Sequence, residues 1–161
     1  MKTAHENTNV NANTDTAAEL HRALNKQVAD WSVLYTKLHN YHWYVKGSHF
    51  FTLHVKFEEL YNAAAERLDE VAERLLTIGG APAATLREHL ELTRVSEAAG
   101  GETAEQMVDA LIRDFRAEAA ELEHAIEIAG ALGDKATEDL LIGLQSAVEK
   151  DAWMLEAYLG R

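Results

Sequence analysis

The stretch from Phe50 to Gly80, FFTLHVKFEELYNAAAERLDEVAERLLTIGG, decides how the chain folds. Leu53, Phe57, Leu60/Tyr61, Ala64, Leu68, Val71/Ala72 and Leu75 recur every three or four residues, the period of one face of an α-helix. The pattern runs unbroken to Gly79-Gly80, with Pro82 behind as a second stop. His54 near its start and the pair Asp69/Glu73 toward its end carry side chains able to ligate a metal. At about 1.5 Å of rise per residue, His54 and Asp69 stand roughly 22 Å apart along this helix. One chain therefore cannot close a site that uses both. If they share a metal, two copies must meet antiparallel about a twofold axis, and the interface then holds two equivalent sites.

Outward from this segment the same period recurs. Upstream, Thr16-Ala17-Ala18-Glu19 matches a capping box, followed by Leu20, Leu24, Val28, Trp31, Leu34/Tyr35, Leu38 and Tyr41/His42 at helical spacing up to Gly47. Residues 1–15, with Asn7, Asn9, Asn11 and Asn13 at alternate positions and no apolar period, are expected to form a mobile polar tail. Downstream, Thr85 to Glu88 is a second capping box opening a short helix through Leu92. Thr103-Ala104-Glu105-Gln106 opens a long helix striped by Val108, Leu111/Ile112, Phe115, Ala119, Leu122, Ile126 and Ala129, ending at Gly130 or Gly133. Asp134 can cap a last helix carrying Leu140/Leu141, Leu144, Val148, Ala152, Leu155 and Leu159. Four long amphipathic helices, a short one in the middle connection, a single proline and no strand-like alternation predict an all-α four-helix bundle over residues 16–161.

Composition narrows the chemistry. A chain of 161 residues with 47% hydrophobic and 26% charged content has room for one real core, and no run approaches the roughly 18 apolar residues of a membrane span. The N-terminus lacks the apolar stretch of a signal peptide, so a cytoplasmic location is expected. With no cysteine, any metal must be held by imidazole and carboxylate. A formal charge of −12 argues against a phosphate backbone as the default partner and suits a protein that gathers cations.

Intramolecular di-metal sites in helix bundles take a Glu from each of two helices and Glu-x-x-His from each of the others. Here Glu121/His124 is the sole Glu-x-x-His, so that arrangement is missing its second half. A different set is available. His42 at the end of the first helix and His54 at the start of the second are brought to one end by a tight turn, and Glu58 follows His54 by four residues on the same face. Two imidazoles and a carboxylate suit Fe(II), Mn(II) or Zn(II). Asp69 and Glu73, also four apart, form a second carboxylate pair. Spacing alone leaves the plainer reading open: His42 as a cap, Trp43 as an interface or core aromatic, and Asp69/Glu73 as a charged surface paired with Arg67 and Arg74.

The blocks Leu38-His39-Asn40-Tyr41-His42-Trp43-Tyr44-Val45-Lys46-Gly47, Phe50-Phe51-Thr52-Leu53-His54, Phe57-Glu58-Glu59-Leu60-Tyr61 and Leu68-Asp69-Glu70-Val71-Ala72-Glu73-Arg74 resemble the Dps mini-ferritins, within them the Bacillus and Listeria type. The similarity runs from about Gln27 to Leu159. It implies a ferritin-like bundle assembled as a hollow homododecamer, with ferroxidase sites at its twofold interfaces. Each site would take His42, His54 and Glu58 from one subunit and Asp69 and Glu73 from its neighbour, with Trp43 adjoining and with two irons per site. The family's oxidant is chiefly hydrogen peroxide, consumed with two Fe(II), and the ferric product mineralises in the cavity. The function expected is iron storage and detoxification against oxidative damage.

Two departures from the family pattern stand out. Val55 replaces an acid often seen after the second histidine, leaving Glu58 and Glu59 as the acidic patch there, and Lys135 falls among Asp134, Glu138 and Asp139, where the threefold pores are acidic. The rival reading is a DNA-compacting nucleoid protein with secondary iron binding. Against it, the tail holds one lysine, Lys2, opposed by Glu6 and Asp15, and the C-terminus ends Gly160-Arg161 without a basic extension. No appreciable direct binding to DNA is expected. A third reading is a metal-free bundle that only assembles.

Overall fold

The computed structural model describes the backbone of residues 4–161 and the side chains from Asn13 onward. Five helices follow one another among these residues, with no strand: α1 (Ala4–Tyr44), α2 (Phe50–Thr77), α3 (Leu86–Leu92), α4 (Ala104–Leu132) and α5 (Lys135–Tyr158). The fold is an all-α four-helix bundle with a short helix in its middle connection. α1 packs on α2, α4 on α5, and α1 also meets α4 and the short α3 of the long middle connection.

The helix boundaries follow the local chemistry with one exception. Thr85 and Thr103 each accept a backbone N–H three residues on, from Glu88 and Gln106, and those side chains reach back to complete both capping boxes. Gly133 ends α4 in the left-handed region at φ 69°, which a side chain would oppose, and Asp134 then caps α5 by accepting from the Thr137 N–H. The exception is α1. It begins at Ala4, so the expected start at Thr16 is corrected, and the Thr16 box lies inside the helix. Neither glycine nor proline interrupts residues 4–44, and once a helix is nucleated each added residue gains a hydrogen bond at little further cost. Lys2 and Glu6 of the expected tail lie outside the described side chains.

The apolar stripes meet in one core. Trp31, Tyr41, Phe57 and Phe115 are its largest fully buried side chains, and the predicted Leu20, Leu24, Leu34, Leu53, Leu75, Leu111, Val148 and Leu155 are buried beside them. Tyr35, offered with Leu34 as a core position, is exposed, while Leu34 faces inward.

A polar layer crosses this core. Asp30 on α1 is fully buried and accepts from the Thr93 hydroxyl, from the Arg94 backbone N–H and from the Arg94 guanidinium, which also pairs with Glu121 and lies 3.8 Å from Glu118 on α4. One guanidinium thus neutralises carboxylates from two helices and clamps the middle connection to the bundle. Across the same core, the Arg67 guanidinium of α2 sits 5.0 Å from the Trp31 ring and bonds Asp151 of α5 at 2.8 Å.

Burial, and then the neighbouring charge of Asp30, push the Glu118 carboxyl up to about 8 from its ordinary 4.5, against Arg94 and Gln27, which act to lower it. Between these two values this group binds fewer protons in the unfolded chain than in the folded one, so its contribution to stability is full below about 4.5 and falls as pH rises toward 8. Glu118→Gln is expected to flatten this dependence. Thermal midpoints followed from pH 5 to 9 check it, and a variant whose decline matches the parent's would remove Glu118 as the cause.

Candidate metal centre

The junction of α1 and α2 is built by a short reversal in which Gly47, at φ 104°, takes a backbone conformation that other residues resist. The reversal sets the end of α1 against the start of α2, with Tyr41, Val45, Leu53 and Phe57 buried beneath. His42 and His54 then stack, ring centroids 3.7 Å apart and planes 18° from parallel.

Each ring is fixed by the other residue's backbone. The His42 Nδ1–H donates to the His54 carbonyl at 2.7 Å, and the His54 Nδ1–H donates to the His42 carbonyl at 2.8 Å. A carbonyl can only accept, so Nδ1 carries the proton in both rings. In the neutral imidazole, Nε2 is then the nitrogen with the free lone pair, as metal ligation requires. The His42 carbonyl also belongs to the last turn of α1, where helical carbonyls lack a partner of their own. The stacking holds two nitrogen donors side by side, with His42 buried and His54 half-buried.

The carboxylates lie elsewhere. Glu58 is exposed one turn beyond His54, and Asp69 and Glu73 are exposed farther along α2. The alternative that Arg67 and Arg74 neutralise Asp69 and Glu73 is not realised. Arg67 turns inward to Asp151, and Arg74 donates to Thr137 and to Asp134 at 2.7 Å each, tying the end of α2 to the start of α5. Among the described residues, no three His, Asp or Glu side chains come close enough within this chain to hold a metal ion.

Trp43 is 67% exposed beside His42. Its ring is 5.3 Å from that of His39, which stacks on Tyr61 at 3.8 Å, and Tyr61 meets His42 edge-on at 5.4 Å. Desolvation, then the charge of Glu58 and the nearby Tyr35, raise the Tyr61 phenol above its ordinary value. His39, assigned no role in the sequence analysis, and Tyr61, read there as a core position, therefore join the candidate site. The signal was present in the spacing of Tyr35, His39 and Trp43, each one turn apart on α1.

The remaining acids divide. Glu121 of the lone Glu-x-x-His is held by Arg94, while His124 points toward Glu19 at 3.8 Å. Asp134, matched to the acidic pores, is committed within the chain: burial works to raise its carboxyl, yet Thr137 and Arg74 hold it below its ordinary value. Lys135 pairs with Glu138, and Asp139 is exposed on the same turn.

Residues 21–161 match the ferritin family, described as a ferritin-like domain. The chain is 58% identical to DNA protection during starvation protein 2 of Bacillus anthracis, across 86% of this chain and 94% of that one. The crystal structure of Dps from Staphylococcus aureus superposes with a TM-score of 0.87 at 56% identity, covering 88% of this chain and 95% of that one. A Dps structure from Vibrio cholerae, described as a member of a broad superfamily of ferritin-like diiron-carboxylate proteins, superposes with a TM-score of 0.87 at 32% identity, covering 91% and 92%.

The reciprocal bonds make a direct spectroscopic expectation. In metal-free protein with neutral imidazoles, long-range ¹⁵N NMR is expected to report His42 and His54 both protonated at Nδ1. Either ring found protonated at Nε2 would contradict the arrangement.

Proposed function

Because the chain belongs to the ferritin-like family and, within it, to the Dps proteins, we propose that it is an iron-storage ferroxidase that detoxifies Fe(II) and hydrogen peroxide together. The observation that carries this reading is the pair of stacked imidazoles with both Nε2 atoms left free. In the proposed site, His42, His54 and Glu58 of one copy face Asp69 and Glu73 of a second, which would supply the carboxylates that the first copy keeps about 22 Å away. Iron is the substrate here, two ions per site. Neutral imidazoles accept Fe(II), and hard carboxylate oxygens favour the ferric product.

The reaction balances without releasing a radical: two Fe(II) each give one electron, hydrogen peroxide takes both with two protons, and two waters form. Carboxylates lacking an internal cation partner leave a net attraction for incoming Fe(II), in line with the chain's −12 charge. The assembly proposed is a homododecamer in the cytoplasm, with the ferric product stored inside. No helix among the described residues is long and apolar enough to cross a membrane. Removing peroxide and Fe(II) would protect DNA chemically, so protection requires no direct contact with it.

Fe(II) added without air and followed by peroxide is expected to give rapid ferric absorbance. His42→Ala with His54→Ala should slow that phase by at least about 10-fold, the loss seen on removing even the supporting groups of a metal ligand. Native mass should be near twelve times the 17.9 kDa chain in both proteins. An unchanged rate in the double variant would refute the site. In a low-salt gel shift the metal-free protein should leave duplex DNA unretarded, and retention would restore the nucleoid reading.

A further inference from the structure

No residue from Leu76 to Gln106 is buried, although this middle connection packs on α1 through α3. Its short helix turns Leu86 and Leu90 to solvent. Polar bonds hold it instead. Asn25 donates to the Ala81 carbonyl and accepts from the Ala83 N–H, and Tyr41 donates to Glu102. Asp30 accepts from the Thr93 hydroxyl, the Arg94 backbone N–H and the Arg94 guanidinium. A segment without an apolar anchor opens locally at less cost than the core.

The Asp30 anchor carries an unbalanced set of charges. One guanidinium, that of Arg94, faces three carboxylates: Asp30, which is fully buried, Glu118, which is 2% exposed, and Glu121 on the same helix as Glu118. Gln27 and Asp30 lie within hydrogen-bonding reach of the Glu118 carboxyl. Yet Glu118 Oε1 and Gln27 Oε1 are both buried with no hydrogen-bond partner among the described residues. Both atoms are acceptors when Glu118 is ionised, so the layer lacks a donor. A proton on Glu118 supplies one and leaves Arg94 facing two anions in place of three. The other buried charges are matched elsewhere, Arg67 of α2 with Asp151 of α5 and Lys37 of α1 with Asp114 of α4.

We propose that the middle connection is a proton-operated latch: it is clamped to α1 while Glu118 is protonated, and it swings free around Thr93 and Arg94 when that proton leaves. Once ionised, Glu118 and Asp30 repel each other in a space closed to water. The helices that carry them cannot separate, because Trp31, Leu34, Phe115 and Leu122 lock α1 and α4 into the core. Relief comes from solvent, and the connection is the wall of this layer that no buried apolar side chain holds. Opening hydrates both carboxylates and returns Glu118 to its ordinary ionisation, so each opening releases a proton. Openings therefore become more frequent as pH rises from 4.5 to about 8, and level off above.

Native-state hydrogen exchange of the metal-free, full-length protein tests the latch, read by NMR at the Arg94 and Val95 amides, which donate to Asp30 and to the Thr93 hydroxyl. After correction for the intrinsic exchange rate, their protection is expected to fall at least about tenfold between roughly pH 5.5 and 7.5, since release of one proton permits up to about tenfold per pH unit. Glu118→Gln, which keeps the shape and carries a permanent donor, should hold that protection constant. No fall in the parent, or an equal fall in Glu118→Gln, would overturn the proposal. Urea below the unfolding transition separates local opening from global unfolding, because an opening that exposes little surface responds weakly to denaturant. Exchange at Arg94 and Val95 should be nearly independent of urea while the Leu60 and Val71 amides of α2 speed up. If Arg94 and Val95 instead track the α2 amides, the connection opens only with the whole fold and there is no latch.

Discussion

The reciprocal bonding of His42 and His54 ties the candidate metal-binding end of the molecule to its fold. Each ring spends its Nδ1–H on the other residue's carbonyl, so the helix pairing cannot shift along its axis without breaking both bonds. An imidazole that rotated freely would present either nitrogen and would pay entropy to hold a metal. Here the tautomer and the ring plane are set before any ligand arrives, which lowers the cost of binding. One of these bonds, from His54 to the His42 carbonyl, also satisfies a helix-end carbonyl that would otherwise need water.

Arginine placement does the complementary work. Arg67, Arg74 and Arg94 each reach a carboxylate on a different helix or across a long loop, to Asp151, Asp134, and Asp30 with Glu121. These bridges lie partly or wholly inside the chain, where a guanidinium matches carboxylate geometry best. By turning inward they hold the bundle and its middle connection together, and they leave Asp69 and Glu73 free on the outside. Stability and the candidate site thus draw on different carboxylates. In the bundle core the Arg67 and Arg94 guanidinium groups face Asp151, Asp30 and Glu121 and balance their charge.

Much of this was legible in the residues themselves. The caps at Thr85, Thr103 and Asp134 and the glycine stop of α4 depend on groups three or four residues apart, and the apolar stripes depend on the helical period. The candidate histidines and carboxylates were readable for the same reason, as was the roughly 22 Å that separates them. The start of α1 was misread because a good capping box also sits comfortably inside a helix when nothing upstream breaks it. The part played by His39 and Tyr61 was missed because their stacking joins two helices.

By itself, then, the order of residues determined the helices, their buried faces, and the fact that His54 and Asp69 cannot meet within one chain, since all three follow from the fixed rise and turn of the backbone. Only the tertiary structure decided which nitrogen of each imidazole is free and which acid each arginine takes. Those choices join side chains from 12 to 84 residues apart. Side chains so distant in the chain are neighbours only after packing has set the helices side by side, and a local period carries no record of which partner wins.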